Sequence, residues 1–420
     1  MRRHLLLASL LLMQGAVCLA QDRARMDQVV QSFTGNGSFA GSILIARGDD
    51  VLFDKRYGTV PRRQAVASLT KQFTAAAILL LEERGRLRLD DPVRKHLANA
   101  PAAWDGMTIF HLLTHTAGFP GLQTPPELRS PPPPAGTAPS PVAEFTARLM
   151  ERPLVTQPGE AFSYTNSGYF ILSHLIERLS GQSYERFVAD NLLAPLKLTD
   201  TGLDPAAAKA MSPNALAVAP NGAAGFSTTP ADLLRWQRAL YGGKVLSAAS
   251  LRKMTSPFKG DYGLGIYIRT VDGRLAYTHG GGAPVFANLT YFPERQVSVV
   301  VLGSIATAPA PEIAAYLATL AHGGRVTLAS ERRYITLPVS VLERYVGVYE
   351  LGGRWPIVLD GTSLAFGDGP GKTRLLAESE TTFYLEGMNI RVEFVRDASG
   401  AVVEMVMHQG TRQERARRVR

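Results

Sequence analysis

The run Ala67-Ser68-Leu69-Thr70-Lys71-Gln72-Phe73-Thr74, continuing into the apolar Ala75–Leu81, constrains this chain more than any other stretch. Ala, Ile and Leu in unbroken succession leave a helix no polar face for solvent, so other elements have to enclose it. Serine is favoured at a helix start, and a helix beginning near Ser68 puts Lys71 one turn on, on the same face. An amine buried beside a hydroxyl loses basicity and becomes a base for that hydroxyl. The Ser-x-x-Lys spacing alone is weak, because it recurs at Ser250/Lys253 and Ser256/Lys259. Those two pairs lie beside Pro257 and Gly260, with no long apolar helix behind them. Position singles out Ser68.

Residues 1–20 read as a secretory signal. Arg2 and Arg3 supply the positive end, Leu5–Met13 the apolar centre, and Cys18-Leu19-Ala20 a small-x-small cleavage site. The apolar centre is too short for a membrane span and nothing later is longer, so no stable membrane insertion is expected. Cleavage removes Cys18, the one cysteine of the chain, which excludes a cysteine nucleophile or a thiolate metal site in the mature protein. The expected location is periplasmic or extracellular. The formal net charge of +9 is spread along the sequence except for Arg412–Arg420. No nucleic-acid-binding pattern accompanies it, and nucleic acid is not expected as a partner. The basic end itself reads as a solvated tail beyond the last strand.

Length and composition divide the mature chain in two. Residues 25–325 mix helical and strand-like runs and end in an apolar helix at Pro311–Leu320. Residues 337–413 alternate short strands with Asp360-Gly361 and Ser399-Gly400 turns, as in a small antiparallel barrel. In the first part, Phe39–Ile45 and Val51–Arg56 form a hairpin about Gly48-Asp49-Asp50. Helices are expected at Thr108–Thr114, Gly168–Leu179 and Thr229–Leu240. Leu275–His279 and Ala287–Tyr291 read as a strand pair, and Val297–Leu302 as a central β-branched strand. The Pro-rich Thr124–Pro141 is neither helix nor sheet interior.

Three elements follow one another along the first part: Ser68-x-x-Lys71, Tyr164-Thr165-Asn166 and His279-Gly280-Gly281. In that order they resemble the serine β-lactamase/penicillin-binding-protein superfamily, in its class C and esterase-like branch. Leu112–Gly118, Gln157-Pro158-Gly159, Pro195–Thr201, Ser227–Leu233 and Tyr262-Gly263-Leu264-Gly265 are similar to further signatures of that superfamily. The likeness spans residues 35–310, and residues 340–410 resemble the lipocalin-like barrel appended to many members. The resemblance implies an α+β fold: a β-lactamase/transpeptidase-like antiparallel sheet flanked by helices, with a helical subdomain, then the small β-barrel. It implies no cofactor.

Chemistry gives these residues one purpose. Ser68 attacks a carbonyl carbon and forms an acyl-enzyme, while Lys71 and the Tyr164 phenol share its proton and pass it to the leaving group. Which of the two is the base stays open. The resemblance implies that backbone N–H groups of Ser68 and Gly282 form an oxyanion hole, that Asn166 contacts the acyl part of the substrate, and that His279, Gly281 and Gly282 border it along a strand edge. Each residue also has a plain alternative. Tyr164 suits a core, Asn166 a helix cap, the glycines a turn and His279 a strand end. His111 and His115, four apart, suggest zinc, but no third ligand accompanies them and no metal is expected.

Two departures bear on substrate. Where β-lactamases and carboxypeptidases of the superfamily carry lysine at the third motif, this chain has His279, largely neutral near pH 7. That favours esters, or amides and peptides of D-amino acids, over β-lactams and D-Ala-D-Ala termini. The Tyr57–Ala67 connection is also shorter than usual, opening one wall of the cleft. A small-molecule substrate and no obligate protein partner are expected. A non-catalytic cell-wall sensor is the alternative from a different class.

Overall fold

The computed structural model describes residues 21–35, 37–121, 141–204, 206, 222–282, 287–304, 309–350, 353–388, 390–409 and 412–419. The signal segment 1–20 and nearly all of the Pro-rich stretch lie outside them. Two compact units divide the chain at His322/Gly323.

The first unit is built on a six-stranded antiparallel sheet. Its strands are β1 (Gly41–Arg47), β2 (Asp50–Tyr57), β3 (Tyr267–Val271), β4 (Arg274–Gly281), β5 (Ala287–Phe292) and β6 (Val297–Gly303), in the order β2-β1-β6-β5-β4-β3. Position follows composition. The β-branched β6 is buried along its whole length and sits in the interior of the sheet, where both faces need apolar cover. β2 alternates buried Phe53 and Tyr57 with exposed charges and takes an edge, where lysine and arginine discourage further pairing. The β1–β2 turn is made at Gly48, which sits at φ +53.

Helix α1 covers residues 21–34. The apolar run forms α2 (Thr70–Glu83), and α3 (Ile109–Leu113), α4 (Ser167–Ser180), α5 (Pro230–Tyr241) and α6 (Ala310–Ala321) follow. α3 starts in a capping box in which the Thr108 hydroxyl accepts from His111 N and His111 Nδ1 accepts from Thr108 N. α5 begins with Pro230 behind the Thr229 cap, whose hydroxyl accepts from Asp232 N. Both α5 and α6 pack on β1 and β6, while α2 packs on α4. Phe73 fixes α2 laterally, with its ring 4.1 Å from Trp236 and 5.2 Å from Phe226. Truncating Phe73 to alanine in such a site costs about 3–5 kcal/mol. Among the described residues no helix is long and apolar enough to cross a membrane.

A three-stranded sheet, with Phe226–Thr228 between Gln64–Ala65 and Gly202–Leu203, holds the approach to Ser68. Val66 N donates to Phe226 O at 2.9 Å, and Gln64 Nε2 donates to Leu302 O on β6 at 3.1 Å.

The second unit is a closed antiparallel barrel of eight strands: Gly347–Glu350, Arg354–Asp360, Ser363–Phe366, Thr373–Ala377, Thr382–Leu385, Ile390–Arg396, Val402–Gln409 and Arg412–Arg418. Tyr345, Tyr349, Phe383 and Phe394 fill it, with Tyr345 and Phe394 stacked at 4.6 Å. Arg412–Arg418 corrects the expectation of a solvated basic tail. It is the strand that closes the barrel, pairing with both Val402–Gln409 and Gly347–Glu350. Arg415 and Arg417 are exposed, Arg415 on Glu404, while Ala416 turns inward and Arg418 donates to the carbonyls of Arg344, Val346 and Val402.

Candidate active site

Ser68 does not open the long helix. It sits in a single 3₁₀ turn, Ala67–Leu69, leading into α2 at Thr70. No side chain caps this turn, so the half-buried Ser68 hydroxyl is not consumed by a capping bond. Ala67 before it lies at φ +45, a left-handed conformation that is costly for a residue with a Cβ. The neighbours hold it there. Thr70 Oγ1 donates to Ala67 O at 2.7 Å and accepts from Phe226 N at 3.2 Å. Beneath the turn passes the end of β4. A Cβ on Gly281 would stand 2.5 Å from Val66 O, so only glycine lets the two backbones touch.

Lys71 reaches Ser68 as its spacing requires, with Nζ 3.2 Å from Oγ. Two further oxygens complete its shell, Asn166 Oδ1 and the Ala223 carbonyl, each at 2.8 Å. None of the three partners is a carboxylate. The side chain has no exposure, and burial holds its pKa well below the usual lysine range. The amine also stands over the Tyr164 and Tyr169 rings, 5.1 and 5.4 Å from their centroids.

Tyr164 precedes α4 with its phenol beside Ser68, and burial pushes its pKa up. It therefore stays protonated at neutral pH. Asn166 occupies the cap position of α4, but its side chain caps nothing and instead turns to Lys71. His115 lies against Tyr164 at 4.2 Å. It falls beyond the end of α3 at φ +57, so it shares no helix face with His111, and the pair does not form the i, i+4 arrangement that suggested zinc.

His279 is near but not open to the cleft. Its Nδ1 bonds Gly280 O at 2.7 Å, and its Nε2 faces the Tyr262 hydroxyl at 3.0 Å. A carbonyl only accepts, so the proton sits on Nδ1 and Tyr262 donates to Nε2. With both nitrogens engaged and the ring 2% exposed, burial and then the charge of Lys71 push the pKa down to about 3. Pairing of β4 with β3 stops at Thr278, so residues 279–281 pair only with β5. Gly282 follows, exposed, with nothing within 4 Å of where a Cβ would project.

The two remaining Ser-x-x-Lys pairs do different work. Lys253 pairs with Glu82, and Lys259 donates to the carbonyls of Gly159 and Glu160. The Ala223 carbonyl gave no signal in the sequence, since any residue supplies one. Gly265 lies in the Tyr262–Gly265 signature, and a Cβ there would stand 2.7 Å from Lys71 O, so glycine is required at that position.

The sheet, the flanking helices and the appended barrel together define the β-lactamase/transpeptidase-like α+β class. Residues 26–323 match the Beta-lactamase family, and the chain belongs to it. It is similar to a penicillin-binding protein of Bacillus subtilis (strain 168), at 25% identity over 94% of this chain and 98% of that one. In structure it is similar to the octameric penicillin-binding protein homologue from Pyrococcus abyssi, with a TM-score of 0.65 at 22% identity over 94% and 99% of the two chains. A D-stereospecific amidohydrolase from Streptomyces sp. superposes with a TM-score of 0.57 at 22% identity, over 70% of this chain and 97% of that one. The two structural likenesses speak for the fold.

Proposed function

We propose that the protein is a secreted serine hydrolase that acylates Ser68 with esters, or with amides and peptides of D-amino acids. The observation that carries the reading is the shell of Lys71. A neutral amine has two N–H donors and one lone pair. Asn166 Oδ1 and Ala223 O take the donors, which turns the lone pair toward the Ser68 hydroxyl at 3.2 Å. Lys71 is accordingly the base, and Tyr164, kept protonated by burial, is the acid.

Ser68 Oγ adds to the carbonyl carbon as its proton passes to Lys71 Nζ. The tetrahedral oxyanion rests on backbone N–H groups of Ser68 and Gly282. Its collapse breaks the bond to the alcohol or amine, which takes the Tyr164 proton while Lys71 returns one to the phenol. Water then adds to the acyl-serine by the same route and releases the acid. Asn166 has its amide nitrogen left for the acyl group, and the unpaired edge at residues 279–281 can accept substrate as an added strand.

The sealed, neutral His279 supports a substrate with no carboxylate at the third motif. The Streptomyces amidohydrolase supports the amide half of the reading by analogy of fold alone. A fluorescent fluorophosphonate with intact-mass detection tests it on the mature protein and on Ser68→Ala. Labelling and ester turnover by the wild type alone are expected; labelling of the variant, or of neither protein, overturns the assignment. Nitrocefin turnover rivalling that of a p-nitrophenyl ester would favour a β-lactamase instead.

A further inference from the structure

His115 takes no part in the chemistry above, yet it contacts Tyr164 and both of its chain neighbours. Its carbonyl accepts from Ser163 N at 2.8 Å, on the residue before Tyr164. Its Nδ1 accepts from Thr165 N at 3.3 Å, on the residue after. Its ring lies 4.2 Å from the Tyr164 ring at 39°, with Tyr262 and Tyr169 at 4.6 and 5.2 Å on its other sides.

We propose that His115 is the positioning residue that aims the Tyr164 phenol at Ser68. The inference rests on the reading of Tyr164 as the acid. Because Nδ1 accepts an amide proton, the ring hydrogen is on Nε2, which is buried and has no hydrogen-bond partner among the described residues. An unmet buried donor costs about 1–3 kcal/mol. Phenylalanine would fill the same space without that cost, so packing alone does not account for histidine. Two further demands do. The backbone is left-handed at φ +57, where Asn, Asp and His are the side chains found most readily. The Thr165 amide needs an acceptor, and Tyr164 needs a flat face; among those three residues only histidine supplies both. Burial also holds the His115 ring neutral.

The experiment exploits leaving groups. p-Nitrophenolate departs without a proton, whereas ethoxide needs one, so the ratio of kcat/KM for an ethyl ester to that for a p-nitrophenyl ester reads acid delivery. The full mature chain is compared as wild type, His115→Phe, Tyr164→Phe and the double variant, each with its Tm. Tyr164→Phe should lower the ratio about 100-fold and His115→Phe about tenfold. On the Tyr164→Phe background, His115→Phe should add less than about twofold, because a positioner has nothing left to aim. Equal losses on both esters, or a full tenfold effect in the double variant, overturn the positioning role. If Tyr164→Phe leaves the ratio alone, the acid assignment itself falls and this inference with it. Should His115→Phe not fold, His115→Asn tolerates the backbone, removes the ring face and carries the same comparison.

Discussion

Lys71 and His279 make an instructive pair. Both are basic, both are at most 2% exposed, and burial drives both toward the neutral form. In the proposed reading the lone pair of each faces a hydroxyl and the N–H groups are spent on protein oxygens. They differ in whose hydroxyl it is. Ser68 is half-buried, whereas Tyr262 has no exposure. Burial therefore makes a neutral base twice over, and access of its partner to a substrate decides which of the two can act. A perturbed basicity is a sign of function only together with that geometry.

Removing the amine tests the first half. Lys71→Met should lower kcat/KM for an ester by about 1,000-fold, within the range of a lost general base. The sign with pH follows from linkage. Lys71 has a lowered pKa when folded, so between that value and the ordinary lysine value the unfolded chain binds the extra proton, and wild-type stability rises with pH. Lys71→Met should lose that slope in a thermal melt measured across pH. Activity should likewise fall on acidification through the lowered Lys71 pKa, since only the free amine accepts the Ser68 proton.

His279→Gln tests the second half. A loss of less than about tenfold is expected, with the low-pH limb of kcat/KM unmoved, because a histidine at about 3 does not titrate where the enzyme is assayed. A limb that shifts in this variant would make His279 part of the proton path. Smallest of all, Ser250→Ala and Ser256→Ala should each change turnover less than about twofold, their lysines being engaged with Glu82 and with the 159–160 carbonyls.

Much of this was legible in the sequence where side-chain pattern and local structure agree. The β-branched run at Val297–Gly303, the apolar run behind Thr70 and the Thr229-Pro230 helix start all lie within a residue or two of where the pattern put them. Thr373–Ala377 and Arg412–Arg418 were not legible as strands. The first is short, and in the second Ala416 is the lone apolar residue, so there is no alternation strong enough to read. In the sequence the Ser68 turn is indistinguishable from a helix start, because a residue at φ +45 leaves no mark in its own identity when it is an alanine. Ala223 and His279 show the two ways a site escapes its motif. One acts through its backbone, and the other sits where the motif predicts with its nitrogens already taken.

The closure of the barrel by Arg412–Arg418 has a cost in proteostasis. A chain cut short before residue 412 would expose two strand edges at once, Val402–Gln409 on one side and Gly347–Glu350 on the other. Each would present unpaired amides and carbonyls to a second molecule, with the aromatic interior no longer enclosed. Truncation or proteolytic nicking at this end would therefore be felt as clumping in the compartment where the protein resides, before any loss at Ser68 was noticed.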